Sequence, residues 1–357
     1  MTIRILGAPQ RYVQGPGAIT RLADEVAIFG GGPVAAIVDP VARDLLGAEV
    51  ERQLPGVRLL SFGGECTRDE IAARADEVGD ARMVLGIGGG KAIDTAKGAA
   101  LARGLPVGIV PTIASNDSPT SHIAVVYTPA HEVDGVIRMK TNPALVLVDT
   151  AVIAGAPRRF LAAGIGDAMS KTYELAGALS AGGLNFFGGA PTELTKAIVG
   201  RAREILLADG EAALAVTTPD AAFERVVEAA ILLSGLAFES GGLSIAHSMV
   251  RGFSVMPQLS GLLHGELVAL GTLTQLAAGQ GSESEIAELA AFFRRLSLPT
   301  SFADYGVTDH ADFEHIAEVS LRAPYATNYA RPLTAADLVA AMRSLDTALA
   351  AAPGAIR

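Results

Sequence analysis

Two histidines in apolar surroundings and one aspartate have the side-chain types of a metal site. His247 lies in GGLSIAHSMVRG, His264 in GLLHGELVALG and Asp167 in AAGIGDAMSKTYE. The glycines around Asp167 predict a turn at the start of a helix, where aspartate is also a favoured N-cap. A histidine in an apolar stretch is often only a packed core residue, so spacing alone leaves both interpretations open. If the three converge from separate helices, they form an open catalytic site suited to Zn²⁺ as a Lewis acid.

A glycine-rich segment, MVLGIGGGKAIDTAKGAA, has the composition of a phosphate-binding turn. Gly88, Gly89 and Gly90 follow an apolar run and precede a helical run that contains Lys91 and Asp94. Glycines there let the backbone approach a pyrophosphate, which unpaired N–H groups and the helix dipole attract. The spacing matches neither the Walker pattern nor the ordinary Rossmann fingerprint, so a purely structural turn is the alternative. The strand-before and helix-after context favours a dinucleotide site, in which the expected cofactor contacts are Gly88, Gly89, Gly90, Lys91 and Asp94.

Asp39 follows the apolar run VAAIV and precedes a proline. A carboxylate there can accept hydrogen bonds from adenosine ribose hydroxyls and repel a 2′-phosphate, which favours NAD over NADP. The alternative is ordinary turn chemistry, because aspartate before proline is common in turns.

The elements that must position these residues change in character along the chain. Short apolar runs separated by helix-like segments predict βαβ units and a parallel sheet. These runs are VAAIV at 34–38, VRLLSF at 57–62, MVLGI at 83–87, VGIVP at 107–111 and LVLVD at 145–149. Beyond residue 157, long stretches rich in alanine and leucine have helical spacing, and SESEIAELAAFFRRL at 282–296 begins with a capping-box pattern. We therefore expect an α/β NAD-binding domain over residues 1–157 and a helical metal-binding and substrate domain over residues 158–357.

Composition excludes several classes of function. The 357 residues are 50% hydrophobic and carry a net charge of −10, without a basic stripe, so nucleic acid is not an expected partner. No apolar run reaches the roughly 18 residues needed to span a membrane. Cys66 is the single cysteine, and the first residues lack a signal-peptide pattern. We therefore expect a cytoplasmic protein.

Motifs along most of the chain resemble the glycerol dehydrogenase branch of the metal-dependent, so-called iron-containing, alcohol dehydrogenase superfamily. They are RYVQGPGAI near the start, FGGECTRDEI, GIGGGKAIDTAKG, PTIASNDSPTS, VLVDT, GIGDA, LLSGLAFESGGLSIAHS and LHGELVALG. The resemblance implies an α/β dinucleotide-binding domain followed by an all-α domain, the dehydroquinate synthase-like or group III alcohol dehydrogenase architecture, with the active site in the cleft between them. It also implies a homo-oligomer, either an octamer or a smaller even-numbered assembly.

The resemblance further implies roles for individual residues. The metal ligands would be Asp167, His247 and His264, and Asp117 would meet the substrate hydroxyls. The residues that contact NAD would be Asp39, Gly89, Gly90, Thr112, Ser115, Ser121, Ile123 and Tyr127. The expected activity is reversible oxidation of a secondary hydroxyl of glycerol, a related vicinal diol or another small hydroxy compound to the ketone.

Some residues depart from the pattern of the family. Iron-binding relatives usually carry a histidine four residues after the ligand aspartate, where this chain has Lys171. This difference favours zinc, although Fe²⁺ is a possible alternative. Asn116 replaces the usual threonine before the substrate aspartate, and the 258–263 segment lacks an additional histidine common in glycerol enzymes. These differences extend the expected substrates beyond glycerol to related vicinal diols and small hydroxy compounds.

Three alternative functions are consistent with parts of this pattern. A hydroxyketone or 2-oxo acid reductase would use the same fold. A carbocycle-forming lyase resembling dehydroquinate synthase would need a glutamate in place of Asp167 and several basic residues for a phosphate-bearing substrate, and neither feature is present among these motifs. A catalytically silent nucleotide-binding protein would not require Asp167, His247 and His264 together.

Overall fold

The computed structural model describes residues 2–350, which form two compact units. The strand-containing unit comprises Gly7–Leu161 and Ala215–Gly235, and the helical unit comprises residues 2–6, Ala162–Leu214 and residues 236–350. The segment Ala215–Gly235 thus folds with the strands although residues of the helical unit precede and follow it. The predicted domain boundary after residue 157 stays a prediction.

The strand-containing unit is built on a parallel sheet. Its strands are β1 (Arg11–Gly15), β2 (Val34–Val38), β3 (Arg58–Ser61), β4 (Met83–Gly88), β5 (Val107–Pro111), β6 (Ile123–Tyr127), β7 (Val133–Arg138) and β8 (Leu145–Asp149). Six of them form one sheet in the order β1-β8-β5-β4-β2-β3, and every pairing in it is parallel. Strands β6 and β7 form a separate antiparallel pair.

All five predicted apolar runs are confirmed as strands of this sheet. Every residue of β2, β4, β5 and β8 is buried, as continuous apolar runs indicate for strands covered on both faces. Because the strands are parallel, their carboxyl ends meet at one edge of the sheet. There the N–H of Asp39 donates to the carbonyl of Ile87 at 2.9 Å, and the N–H of Thr112 donates to the carbonyl of Gly88 at 3.1 Å.

Helices surround the sheet and make up the helical unit. In chain order they are α1 (Leu22–Ala27), α2 (Pro40–Gln53), α3 (Arg68–Glu77), α4 (Gly90–Arg103), α5 (Thr150–Gly155), α6 (Arg158–Ser180), α7 (Glu193–Ala213), α8 (Ala221–Glu228), α9 (Ser234–Gly241), α10 (Ile245–Phe253), α11 (His264–Gln275), α12 (Glu283–Arg295), α13 (His310–Ser320) and α14 (Ala335–Ala350). Two π-helical segments, Ala229–Leu233 and Leu276–Gln280, continue α8 and α11. The predicted start of α12 is confirmed, since the side chain of Ser282 accepts a hydrogen bond from the N–H of Glu285.

Glycines allow three helices of the helical unit to approach closely. A Cβ atom on Gly166 of α6 would lie 2.8 Å from the carbonyl oxygen of Gly265 in α11, and one on Gly265 would overlap the carbonyl of Ala163. A Cβ atom on Gly271 of α11 would likewise overlap the carbonyl of Ala246 in α10. Backbone contact of this kind requires glycine, and it brings α6 and α10 against α11.

In the part of the chain that the structure describes, no single helix has both the length and the apolar composition of a membrane span. One bent pair, Ala221–Gly241 with Ile245–Phe253, meets those two criteria together.

Candidate active site

Asp167, His247 and His264 converge from three helices. Asp167 lies within α6, His247 lies in α10, and His264 is the first residue of α11. One potential ligand atom from each lies within 4.8 Å of the other two, and the two imidazole centroids are 5.3 Å apart. Asp167 and His247 are buried, whereas His264 is more exposed. The structure therefore brings together the three residues that the sequence indicated as a metal site.

The local structure around Asp167 differs from the prediction. We expected a glycine-flanked turn at the start of a helix, but Asp167 lies in the interior of α6, which begins at Arg158. The prediction was wrong because Gly166 serves helix packing: it lies where α6 meets the backbone of α11. Asp167 is therefore not a helix cap, and its carboxylate is directed by helix packing.

The carboxylate of Asp167 has one satisfied and one unsatisfied oxygen. Its Oδ1 accepts a hydrogen bond from Lys171 Nζ at 2.6 Å and lies 3.4 Å from His247 Nε2. Its Oδ2 is buried and has no hydrogen-bond partner among the described residues. Burial alone would raise the pKa of Asp167, but the Lys171 ammonium and the two histidines outweigh it and hold that pKa well below its usual range. An ionised, unpaired carboxylate oxygen beside two imidazoles fits a divalent metal ion.

Glu174 orients His247 from the other side of the ring. Its Oε2 lies 2.7 Å from His247 Nδ1, while its Oε1 accepts hydrogen bonds from the N–H groups of Ser244 and His247 at 2.9 and 3.1 Å. Burial lowers the pKa of His247, but the carboxylates of Glu174 and Asp167 raise it to about 9. Because Nδ1 of His247 is hydrogen-bonded to Glu174, Nε2 is the ring nitrogen that faces the candidate metal site.

His264 has the opposite electrostatic balance. Part of the residue is exposed, but desolvation of the imidazole among the packed helices is the largest effect, and it lowers the pKa of His264 to about 4 despite the nearby Asp167 carboxylate. The imidazole is therefore neutral near pH 7, which is the form that binds a metal.

The carboxyl end of β4 and the start of α4 form a cradle in the strand-containing unit. Gly88 has φ +147°, and a Cβ atom there would lie 2.7 Å from Asp39 Cβ. A Cβ on Gly89 would lie 3.0 Å from Ile113, and one on Gly90 would lie 3.1 Å from the amide of Asn116. Gly89 is the N-cap of α4 and makes no side-chain capping hydrogen bond. A narrow glycine-lined cradle at a helix N-terminus fits a phosphate group.

Asp39 directly follows strand β2 and is the N-cap of helix α2. Its Oδ1 accepts hydrogen bonds from the N–H groups of Val41 and Ala42, at 2.9 and 3.4 Å, as the N-cap of α2. The turn role and the ribose role that the sequence left open are therefore compatible, because the capping interactions use only one of the two carboxylate oxygens.

Lys91 and Asp94, both on α4, have different environments. Lys91 Nζ bonds Glu65 Oε2 at 2.6 Å and lies 5.0 Å from the centroid of the Tyr127 ring. Asp94 is buried, and its oxygens bind Lys97 Nζ, Ser118 Oγ and the N–H of Val125. The structure thus shows Asp94 supporting the segment after β5, and direct contact of Asp94 with a cofactor stays a prediction.

The segment from Thr112 to Tyr127 carries the other predicted contact residues. Thr112, Ser115 and Asp117 are each 8–9% exposed. The remaining three occupy the end of the loop and β6: Ser121, Ile123 and Tyr127.

Sequence reasoning missed two partners of this segment. Lys97 Nζ donates to the carbonyls of Ser118 and Ile123 at 2.6 and 2.7 Å, and Ser234 Oγ donates to Asp117 Oδ2 at 3.2 Å. A lysine within a helix of small apolar residues was the available signal for Lys97. Nothing in the sequence connects Ser234 to Asp117.

Known proteins are similar to this chain over most of its length. The family model described as iron-containing alcohol dehydrogenase matches residues 9–150. The glycerol dehydrogenase of Thermotoga maritima is 38% identical over 348 residues, 95% of each chain, and that of Escherichia coli is 38% identical over 321 residues, 86% of each chain. A solved structure of a probable glycerol dehydrogenase from Sinorhizobium meliloti superposes with a TM-score of 0.92 at 35% identity, covering 98% of this chain and 100% of that one.

The chain belongs to the glycerol dehydrogenase branch of the iron-containing alcohol dehydrogenase superfamily. It is therefore an alcohol or polyol dehydrogenase that acts on a small molecule, in a family of metal-dependent enzymes. The alternatives of a lyase and a silent nucleotide-binding protein lose their support.

The interaction of Glu174 with His247 can be tested by substitution of Glu174. With zinc as the probe metal, the Glu174→Gln variant is expected to bind about 10- to 100-fold more weakly, because the uncharged amide no longer fixes the ring and its tautomer as the carboxylate does. A competition titration with a chromophoric chelator measures the zinc dissociation constant. Glu204→Gln, an exposed change on α7, is the matched control. An unchanged dissociation constant in folded Glu174→Gln protein would show that Glu174 does not orient His247.

Proposed function

We propose that this chain is an NAD- and zinc-dependent dehydrogenase that reversibly oxidises the secondary hydroxyl of glycerol, a related vicinal diol or another small hydroxy compound to the ketone. The observation that carries the proposal is the cluster of Asp167, His247 and His264, with the unpaired Oδ2 of Asp167 among them. Relatives named glycerol dehydrogenase support the substrate class.

The proposed metal ligands are Asp167, His247 and His264. Zinc bound by them would supply Lewis-acid polarisation of the reacting hydroxyl, and NAD would supply the hydride acceptor. Glu174 holds His247 with Nε2 presented, and the neutral His264 needs to lose no proton near pH 7. One carboxylate and two imidazoles are a donor set that both catalytic zinc and Fe²⁺ use. Lys171, in place of the further histidine of iron-binding relatives, favours zinc.

The proposed cofactor site uses the cradle and its neighbours in the strand-containing unit. The backbone of Gly88, Gly89 and Gly90 would bind the pyrophosphate at the N-terminus of α4. Asp39 would accept the adenosine ribose hydroxyls, and the segment from Thr112 to Tyr127 would contact the rest of the cofactor. Lys91, which bonds Glu65, would add a positive charge near the phosphates on exchanging that partner.

The proposed discrimination between NAD and NADP can be tested without breaking α2. Asp39→Ser keeps a side-chain oxygen for the N-cap but removes the carboxylate. We expect kcat/KM with NAD to fall about 10- to 100-fold, the range for a hydrogen bond to a charged group, and activity with NADP to rise. Initial rates at 340 nm with each cofactor measure both effects. A variant that keeps the wild-type preference for NAD would exclude Asp39 as the ribose contact.

Asp117 is the proposed contact for a substrate hydroxyl. Its buried carboxylate accepts a hydrogen bond from Ser234, which fixes one oxygen. Asn116 and the less polar 258–263 segment distinguish this chain from the glycerol enzymes that it resembles. For this reason the proposal covers vicinal diols and small hydroxy compounds as well as glycerol.

The decisive experiment is a rate screen at 340 nm with NAD and with NADP. The substrates are glycerol, 1,2-propanediol, 2,3-butanediol, dihydroxyacetone and 2-hydroxy acids, each before chelation, after chelation and after zinc return. Activity on a diol that chelation removes and zinc restores supports the proposal. Restoration only by Fe²⁺ would replace zinc, and activity confined to 2-hydroxy acids would replace the diol as substrate.

We also propose a homo-oligomer of even subunit number, an octamer or smaller, located in the cytoplasm. The resemblance to the family supports the assembly, and the single, buried Cys66 is consistent with a reducing compartment. Native mass spectrometry of the purified enzyme measures the subunit number, and a monomer would contradict the assembly.

A further inference from the structure

Lys171 places a positive charge next to the three candidate metal ligands, Asp167, His247 and His264. It lies one helical turn after Asp167 on α6, and its side chain is 2% exposed. Its Nζ is 2.6 Å from Asp167 Oδ1, 3.5 Å from His247 Nε2 and 5.7 Å from the centroid of the Phe238 ring. A buried ammonium requires compensation by nearby negative charge, which Asp167 provides.

The ammonium changes the charge that a divalent cation would meet. Asp167 and Glu174 are carboxylates in contact with His247, and Lys171 is the cation in contact with Asp167. In the form that binds a metal, in which both imidazoles are neutral, these groups carry one net negative charge. Without the ammonium they would carry two, and attraction for a divalent cation would be stronger.

The hydrogen bond from Lys171 also limits how Asp167 can bind a metal. It engages Oδ1 and leaves only Oδ2 without a hydrogen-bond partner among the described residues. Oδ2 is thus the donor oxygen that is available without breaking an existing interaction. A carboxylate held in this way is a one-oxygen ligand.

We propose that Lys171 is a positioning residue that weakens and tunes metal binding: it holds Asp167 as a one-oxygen ligand and offsets part of the negative charge of the site. The metal of this enzyme is therefore exchangeable, and the fold does not depend on metal to compensate Asp167. This inference rests on the proposed function, because it requires that Asp167, His247 and His264 bind zinc.

Two substitutions separate the charge from the hydrogen bond. Lys171→Gln removes the charge but keeps an amide that can donate to Asp167, whereas Lys171→Met removes both. Lys196→Gln, a half-exposed change on α7, is the matched control. The zinc dissociation constant is measured by competition with a chromophoric chelator, and the melting temperature is measured with and without zinc.

We expect Lys171→Gln to bind zinc more tightly than the wild type, by on the order of 10-fold or more, because the change removes a positive charge that lies close to the divalent cation. Its melting temperature without zinc should fall, and the increase on adding zinc should exceed that of the wild type. Lys171→Met should show both effects more strongly. An affinity equal to or weaker than that of the wild type in folded Lys171→Gln protein overturns the inference.

Two further measurements cover the remaining outcomes. If Lys171→Gln folds only with zinc, the rate of zinc release to excess chelator replaces the equilibrium titration; slower release than from the wild type supports the inference, and equal or faster release overturns it. If wild-type protein binds no zinc, and Asp167→Asn behaves identically, the proposed metal site itself fails. Zinc binding by the wild type with no effect of Lys171→Gln overturns the inference alone.

Discussion

Replacement of Asp167 by asparagine is expected to remove stoichiometric zinc and to lower kcat/KM by on the order of 10³-fold or more. Asp167 supplies the only negative charge among the three proposed ligands, and its unpaired Oδ2 is the oxygen available to a metal. An asparagine has nearly the same shape, but its neutral oxygen is a much weaker donor to a cation. The change also leaves the buried Lys171 ammonium without its carboxylate partner.

Metal content by elemental analysis and initial rates of NADH formation measure the two effects of Asp167→Asn separately. Asp304→Asn is the control, since Asp304 is an exposed aspartate of the same helical unit. Circular dichroism at the assay temperature establishes that the variant is folded. Retention of both zinc and wild-type kcat/KM in folded Asp167→Asn protein would exclude Asp167 as a ligand.

Continuous apolar runs made the core of the sheet predictable from sequence. Strands β2, β4, β5 and β8 are buried along their whole length, and all of their residues except Asp149 at the end of β8 are apolar or small. Strand β1, RYVQG, lies at the edge of the sheet and is only partly buried. Its polar residues interrupt any continuous apolar run, so the apolar pattern did not predict this strand. Strand β7 was not predicted for a related reason, because its residues are exposed or half-buried, whereas the apolar and mostly buried run of β6 was the available signal for the pair.

The residue types of the candidate site were predictable, but their contacts were not. Asp167, His247 and His264 could be selected because polar groups in apolar helices need partners. The position of Asp167 inside α6 depends on the contact of Gly166 with α11, which no local pattern encodes. Glu174 lies two helical turns after Asp167, so its helical face was predictable, whereas its hydrogen bond to His247 depends on where α10 packs.

The fold also joins segments that are distant in sequence. Residues Ala215–Gly235 belong to the strand-containing unit, and Ser234 in this segment bonds Asp117. The helical spacing of this segment is the same whichever unit it packs against. Periodicity therefore predicts the helices but gives no information about their partners.

Replacement of Lys97 by methionine is expected to lower the free energy of unfolding by about 3–5 kcal/mol. Lys97 is fully buried, and its Nζ donates to the carbonyls of Ser118 and Ile123 and contacts the carboxylate of Asp94. Methionine fills a similar volume but leaves a buried carboxylate and two carbonyls without this donor. Urea unfolding measures the loss of stability. The control is Lys196→Met, a change at an exposed position of α7.

The same substitution tests whether Lys97 supports the proposed cofactor segment. Because Lys97 ties α4 to the residues on either side of Ser121, its loss should raise KM for NAD about tenfold while changing kcat less.

The double variant of Lys97→Met with Asp94→Asn should lose less stability than the sum of the losses in the two single variants, because the uncompensated charge is gone. Additive losses would mean that Asp94 and Lys97 act independently. A loss under about 1 kcal/mol for Lys97→Met would mean that water or another group replaces the ammonium, and the segment then has a different anchor.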